Sequence, residues 1–165
     1  DEYYTSSTAY TDFYPENAEP VSPNITASTD RSEVKWSDLV APDTPYPTPW
    51  DKNEFDTADL AYQVERRQID GAIAAATRAG TFEFELDALH DAARKHASER
   101  VAAVDAFMES SGSVGTVGAF EGAGYVSEGL YRPAIDCLMF TRGVKDLCPV
   151  CRRAVASRIG FYSGE

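Results

Sequence analysis

The sequence predicts a mainly helical fold with long irregular segments, built around an antiparallel helical hairpin. Two contrasts along the chain predict it. Prolines at 15, 20, 23, 42, 45, 47 and 49 break up the first third, whereas residues 56 to 111 carry a sustained apolar repeat of three and four. From residue 112 onward, glycine-rich irregular sequence returns.

In the first segment, residues 1 to 55, each proline biases its predecessor to extended geometry and forbids a long helix. Tyr3, Tyr4, Tyr10, Phe13, Tyr14, Trp36 and Trp50 nevertheless give it more aromatic surface than a disordered tail carries. It is expected to wrap a larger body and bury its rings there, with one short strand or turn around Glu33–Leu39. The next segment opens with Asp56 and Thr57 as candidate N-caps and reaches a stop at Gly80. Leu60, Val64, Ile73 and Ala76 form a short stripe on this first helix. Leu86, Leu89, Ala93, Ala97, Val101, Val104 and Met108 form a longer one on a second helix that Gly112 ends. Two such helices on a short link should pair antiparallel. Beyond them, Val114–Phe120 is expected as a short strand, Gly122, Gly124 and Gly129 mark a turn or hairpin, and Arg152–Ile159 forms a terminal helix.

Composition narrows the function classes. A hydrophobic content of 43% with 25% charged residues is that of an ordinary globular domain. The 15 basic against 27 acidic residues leave a net charge of -12, which repels phosphate backbones and anionic lipid. Nucleic acid and membrane are therefore not expected as partners. No stretch is long and apolar enough to span a bilayer. The opening Asp1-Glu2-Tyr3-Tyr4, without Met or a basic, apolar leader, is taken as the edge of an excerpt.

Few residues offer chemistry. His90 and His96 lie six apart, hence about 120° from each other around a helix, and a helical zinc clamp needs a spacing of four. Solvated or interfacial histidines are the plainer reading. The glycines of Phe120–Tyr125 lack a following helix to receive phosphate, and a tight turn suffices to explain them. Cys148-Pro-Val-Cys151 opens a predicted helix, where a thiol pKa falls, but a redox motif needs a strand-helix-strand setting. A structural zinc would need a fourth ligand beside Cys137, Cys148 and Cys151, with none nearby in sequence. A disulfide from Cys137 to Cys148 or Cys151 is the simpler expectation.

Several segments in order resemble one family: DEYYTSSTAYTDFYP at the start, SPNITASTDRSEVKW at 22–36, TPYPTP at 44–49, VGAFEGAGYVSEGLYRPAIDCLM at 117–139 and CPVCRRAV at 148–155. Together they resemble the C-terminal half of the IgA-peptidase-like zinc metallopeptidases (metallopeptidase family 64), secreted bacterial enzymes of the metzincin type. The resemblance implies the C-terminal subdomain of a metzincin-like α/β zincin over residues 1–165. Residues 1–55 would be the wrapping segment, 56–111 an inserted helical hairpin, and 112–165 the Met-turn region and C-terminal helix.

In that family a His-Glu-x-x-His helix leads into Gly-Leu-Ala-Asp-Glu-Tyr, of which Asp1-Glu2-Tyr3 would be the end. The resemblance then implies zinc as cofactor and hydrolysis of a protein or peptide by a metal-activated water. Asp1, with Glu2 in reserve, would be the third protein ligand, and Met139 the apolar Met-turn floor. Tyr131 would be a catalytic donor to the oxyanion and Arg132 a substrate-binding residue on the cleft wall. For each, a plainer structural role competes: a surface carboxylate, core packing, a structural hydrogen bond or salt bridge. The sequence departs from the pattern in having no His-Glu-x-x-His, so this piece is expected to be inactive without the missing N-terminal half. It also has Leu138 where relatives often carry a basic residue. A non-catalytic extracellular binding module or pseudoenzyme, with the helical hairpin as partner surface, is the alternative, and a structural zinc or disulfide module on the three cysteines a third.

Overall fold

The computed structural model describes residues 14, 18–140 and 146–164. Two units emerge, Asp1–Asp51 with Met108–Glu165, and Lys52–Phe107. Among the described residues there are three α-helices and one two-stranded sheet.

In the first unit the proline-rich arm is ordered by side chains that take over the work of a sheet. Here two cations gather the arm's backbone carbonyls. Arg31 donates to the carbonyls of Val40, Ala41, Pro42 and Thr44 at 2.8, 2.6, 3.1 and 3.4 Å. Lys35 donates to those of Pro20, Ser22 and Ile25 and pairs with Glu19 at 2.7 Å. Where a strand or turn was expected around Glu33–Leu39, the chain makes two 3-10 turns, Arg31–Glu33 and Ser37–Leu39. Asp30 caps the first through Ser32.

The hairpin β1 (Phe120–Ala123) and β2 (Val126–Arg132) pairs antiparallel, with Phe120 opposite Arg132 and Glu121 opposite Tyr131. The expected strand at 114–120 thus lies further along the chain. Two positive-φ residues, Gly124 at 60° and Tyr125 at 67°, make the tight connection that favours hairpin twist. Thr26 adds to the free edge of β2 through a two-way bridge with Tyr131, at 3.0 and 2.8 Å. Ile25, Ala123 and Leu130 form a small core on this side. A larger one gathers Val34, Trp36, Val40, Ala134, Phe140, Val150 and the three cysteines.

Helix α3 spans Pro149–Ser163 and is longer at both ends than the sequence pattern indicated. Proline at the first helical position costs no hydrogen bond, so the helix begins at the CxxC motif with Cys148 as N-cap. Gly164, at φ 76°, closes the other end.

The second unit is the helical hairpin. Helix α1 runs Lys52–Ala79, and α2 runs Glu83–Ser110, its last turn lying past the unit's boundary. Their contacts run in antiparallel order: Phe55 with Phe107, Asp59 with Arg100, Glu65 with His96, and Arg66 with the Ala93 carbonyl. Helix α1 starts a turn before Asp56 because Lys52 bridges Asp56 at 2.9 Å and Phe55 buries its ring. Its inner face also differs from the aliphatic stripe. Leu60 and Val64 are 51% and 43% exposed. Phe55, Asp59, Tyr62 and Arg66 face α2 instead, with Tyr62 stacked on His96 at 4.6 Å. Alanines 93 and 97 on α2 leave room for these wide side chains. No helix among the described residues is long and apolar enough to cross a membrane.

Candidate functional site

Strand β2 delivers the chain into the segment with the most chemistry. Tyr131 lies at the end of that strand, half-buried between its partners Glu121 and Thr26. Burial, and after it the Glu121 charge, pushes its phenol above the usual range, so it stays protonated and able to donate at neutral pH. Arg132, next along, is buried, at 1% exposure. Its guanidinium lies 5.0 Å over the Trp50 ring and 5.6 Å over that of Phe140. The sequence suggested a cleft-lining arginine; the structure places this side chain in the interior, between two aromatic faces.

The continuation is stitched to the arm. Gly118 donates to the Pro133 carbonyl at 2.8 Å, Trp36 Nε1 donates to the Gly118 carbonyl at 2.7 Å, and Trp50 Nε1 donates to that of Glu121 at 3.1 Å. A turn then spans Cys137–Phe140, closed by a 2.8 Å bond from Phe140 N–H to the Cys137 carbonyl. Its flanks are buried, Cys137 at 0% and Phe140 at 3%, while Leu138 and Met139 project at 52% and 41% exposure. Met139 therefore projects from the tip of a turn whose flanks are buried. Asp1 and Glu2 fall outside the described residues.

Behind this turn the three cysteines converge. The sulfurs of Cys137, Cys148 and Cys151 all lie within 4.8 Å of one another, and all three are buried, free thiols. Two come from the N-cap and first turn of α3, and the third from the Cys137–Phe140 turn. Cys148 N–H donates to Cys137 Sγ at 3.3 Å. Hydrogen bonds from the Cys148 and Cys151 thiols, followed by backbone N–H groups of Cys148 and Met139, hold Cys137 well below the usual thiol range despite burial. The bonds to Cys137 are the main reason the other two thiols are pushed up.

The sequence grouped the three cysteines as a zinc or disulfide module and favoured a Cys137 disulfide; the structure instead has all three as free thiols. The CxxC spacing does set two thiols on one side of a helical first turn; only the fold adds Cys137. His96 Nε2 lies 3.0 Å from Glu65 and its ring stacks on Tyr62, which is the interfacial role expected.

The family described as IgA Peptidase M64 matches this chain over residues 1–159. Among curated proteins no sequence matches it.

Proposed function

The chain belongs to the IgA Peptidase M64 family, and from that membership we propose that the full-length protein is a secreted bacterial zinc-dependent endopeptidase. Membership makes it a protease of a metallopeptidase family, with protein or peptide as substrate. The finer reading rests on one observation: a turn with buried flanks holds Met139 outward a few residues after the strand that carries Tyr131.

The described residues do not themselves fit a catalytic zinc. Their one set of three converging ligand side chains is the buried thiol trio, whereas hydrolytic zinc sites keep a position open to water and substrate. The catalytic ligands are therefore assigned elsewhere, to Asp1 or Glu2 and to a His-Glu-x-x-His helix that this sequence does not contain. Accordingly, the piece without that helix is inactive. Met139 serves as the apolar floor. Tyr131, kept protonated, donates a hydrogen bond to the carbonyl oxygen as negative charge builds on it. Arg132 acts from behind as a positioning residue, holding the strand end against Trp50 and Phe140.

Two results check this reading. Full-length protein should cleave unstructured protein substrates, lose that activity on chelation, and regain it with zinc. Activity that survives exhaustive chelation would count against it. Tyr131→Phe should lower kcat about 100-fold with little change in KM; an unchanged kcat removes Tyr131 from the reaction.

A second reading is favoured by exposed apolar residues on the helical pair. Phe82 and Phe84 stand 76% and 71% exposed near its turn, with Leu60 and Val64 along α1. In this reading the hairpin is a partner surface of a non-catalytic module, and an absence of any hydrolysis by zinc-loaded full-length protein would favour it.

A further inference from the structure

A disulfide draws two sulfurs to about 2.0 Å and leaves a third over. The arrangement of Cys137, Cys148 and Cys151 is different, because all three sulfurs converge within 4.8 Å. Thiolates on a tetrahedral zinc, at about 2.3 Å from the metal, sit roughly 3.8 Å apart. Small side-chain movements bring the trio to that spacing. The surrounding backbone is already set for thiolates. The N–H groups of Cys148 and Met139 point at Cys137 Sγ, and such charge-assisted bonds stabilise metal-bound sulfur. Cys148 and Cys151 sit at the N-cap and within the first turn of α3, where the helix dipole favours negative charge. An apolar shell of Val34, Trp36, Val40, Phe140 and Val150 excludes water.

We propose that Cys137, Cys148 and Cys151 together bind one thiophilic divalent cation of the zinc class, as a structural site. It pins the turn Cys137–Phe140 to the start of α3. Binding displaces to solvent whatever protons the three sulfurs still hold as three S–metal bonds form, with no change of oxidation state. No fourth histidine, cysteine or carboxylate joins the group among the described residues. The site is separate from the catalytic zinc assigned above and stands whether or not that assignment holds. Its consequence for the enzyme is mechanical, since Met139 lies two residues from Cys137.

The test uses full-length protein purified under reducing conditions without chelator. Zinc K-edge absorption should show sulfur at about 2.3 Å amounting to three sulfurs per protein, and native thiol titration should find the three cysteines protected until denaturant and chelator are added together. Cobalt substitution should give sulfur-to-metal charge-transfer absorption. Cys151→Ser should reduce bound zinc by one equivalent. Should that variant fail to fold, the wild-type sulfur shell still decides. Zinc with only nitrogen and oxygen neighbours, beside three thiols that react on denaturation without chelator, overturns the proposal; so does a disulfide found by mass. Peptide hydrolysis separates the two zinc assignments. Sulfur-bound zinc without hydrolysis keeps this site and removes the catalytic one, and hydrolysis with sulfur-free zinc does the reverse.

Discussion

Replacing Arg132 by alanine should lower the stability of the first unit by about 3 kcal/mol. The side chain is 1% exposed and its guanidinium lies over both Trp50 and Phe140. Truncation leaves a cavity between two rings and removes two desolvated cation-π contacts, each worth about 1–2 kcal/mol at such sites. Thermal unfolding should fall by roughly 10 °C. Arg132→Lys should lose about half as much, because an ammonium keeps the charge but not the flat surface that stacks. A substrate-binding arginine behaves differently: its removal raises KM and leaves the melting temperature in place. That outcome would return Arg132 to the cleft.

The second large effect is expected at Gly118. A methyl group there would sit 2.1 Å from Thr48 Oγ1 and 2.9 Å from Thr48 Cβ. Thr48 cannot swing aside without loss. Its hydroxyl donates to the Pro45 carbonyl at 2.8 Å and accepts from Ala119 N–H at 2.8 Å, and its own N–H donates to the Ala119 carbonyl at 2.8 Å. Moving the Gly118 backbone instead breaks its bonds with Trp36 and Pro133. Gly118→Ala should therefore cost about 3 kcal/mol in denaturant unfolding. Gly129→Ala is the control: nothing lies within 4 Å of the added methyl, and its φ of 79° charges only the backbone strain of about 1 kcal/mol. Equal costs for the two would mean that Thr48 and Gly118 are not packed as described.

These two positions mark where the sequence stopped being legible. The helical hairpin was readable because a repeat of three and four is local, and Gly80 and Gly112 ended its helices where expected. The inner face of α1 was not. Asp59 and Arg66 look like solvent-facing residues until Arg100 and the Ala93 carbonyl are opposite them. The arm was legible as ordered and irregular from its prolines and rings. How it is held was not, since Arg31 and Lys35 bind carbonyls that no spacing rule connects to them. Tyr131, Arg132 and Met139 were named from the family resemblance. Motif could not show that Arg132 is internal while Met139 is at a turn tip, because burial depends on Trp50 and Phe140 arriving from distant segments. The three cysteines were legible as a group; that all three sulfurs converge as free thiols needed the turn after β2.

The unit's architecture also bears on how a peptidase would use it. The tip of Cys137–Phe140 is exposed, yet its flanks are held by the core and by the Leu138 N–H bond to the Asp146 carbonyl at 2.9 Å. Side chains that touch a reacting centre are most effective when their own position is fixed beforehand. Trp36, Trp50, Arg132 and the cysteines supply that fixation from below.

A crystal structure of the full-length protein, with anomalous scattering recorded at the zinc edge, addresses the central claim most directly. The expected map has a peak bound by the carboxylate of Asp1 or Glu2 with Met139 beneath it. A map in which both carboxylates lie far from Met139, with no zinc above that turn, contradicts the peptidase account of this site.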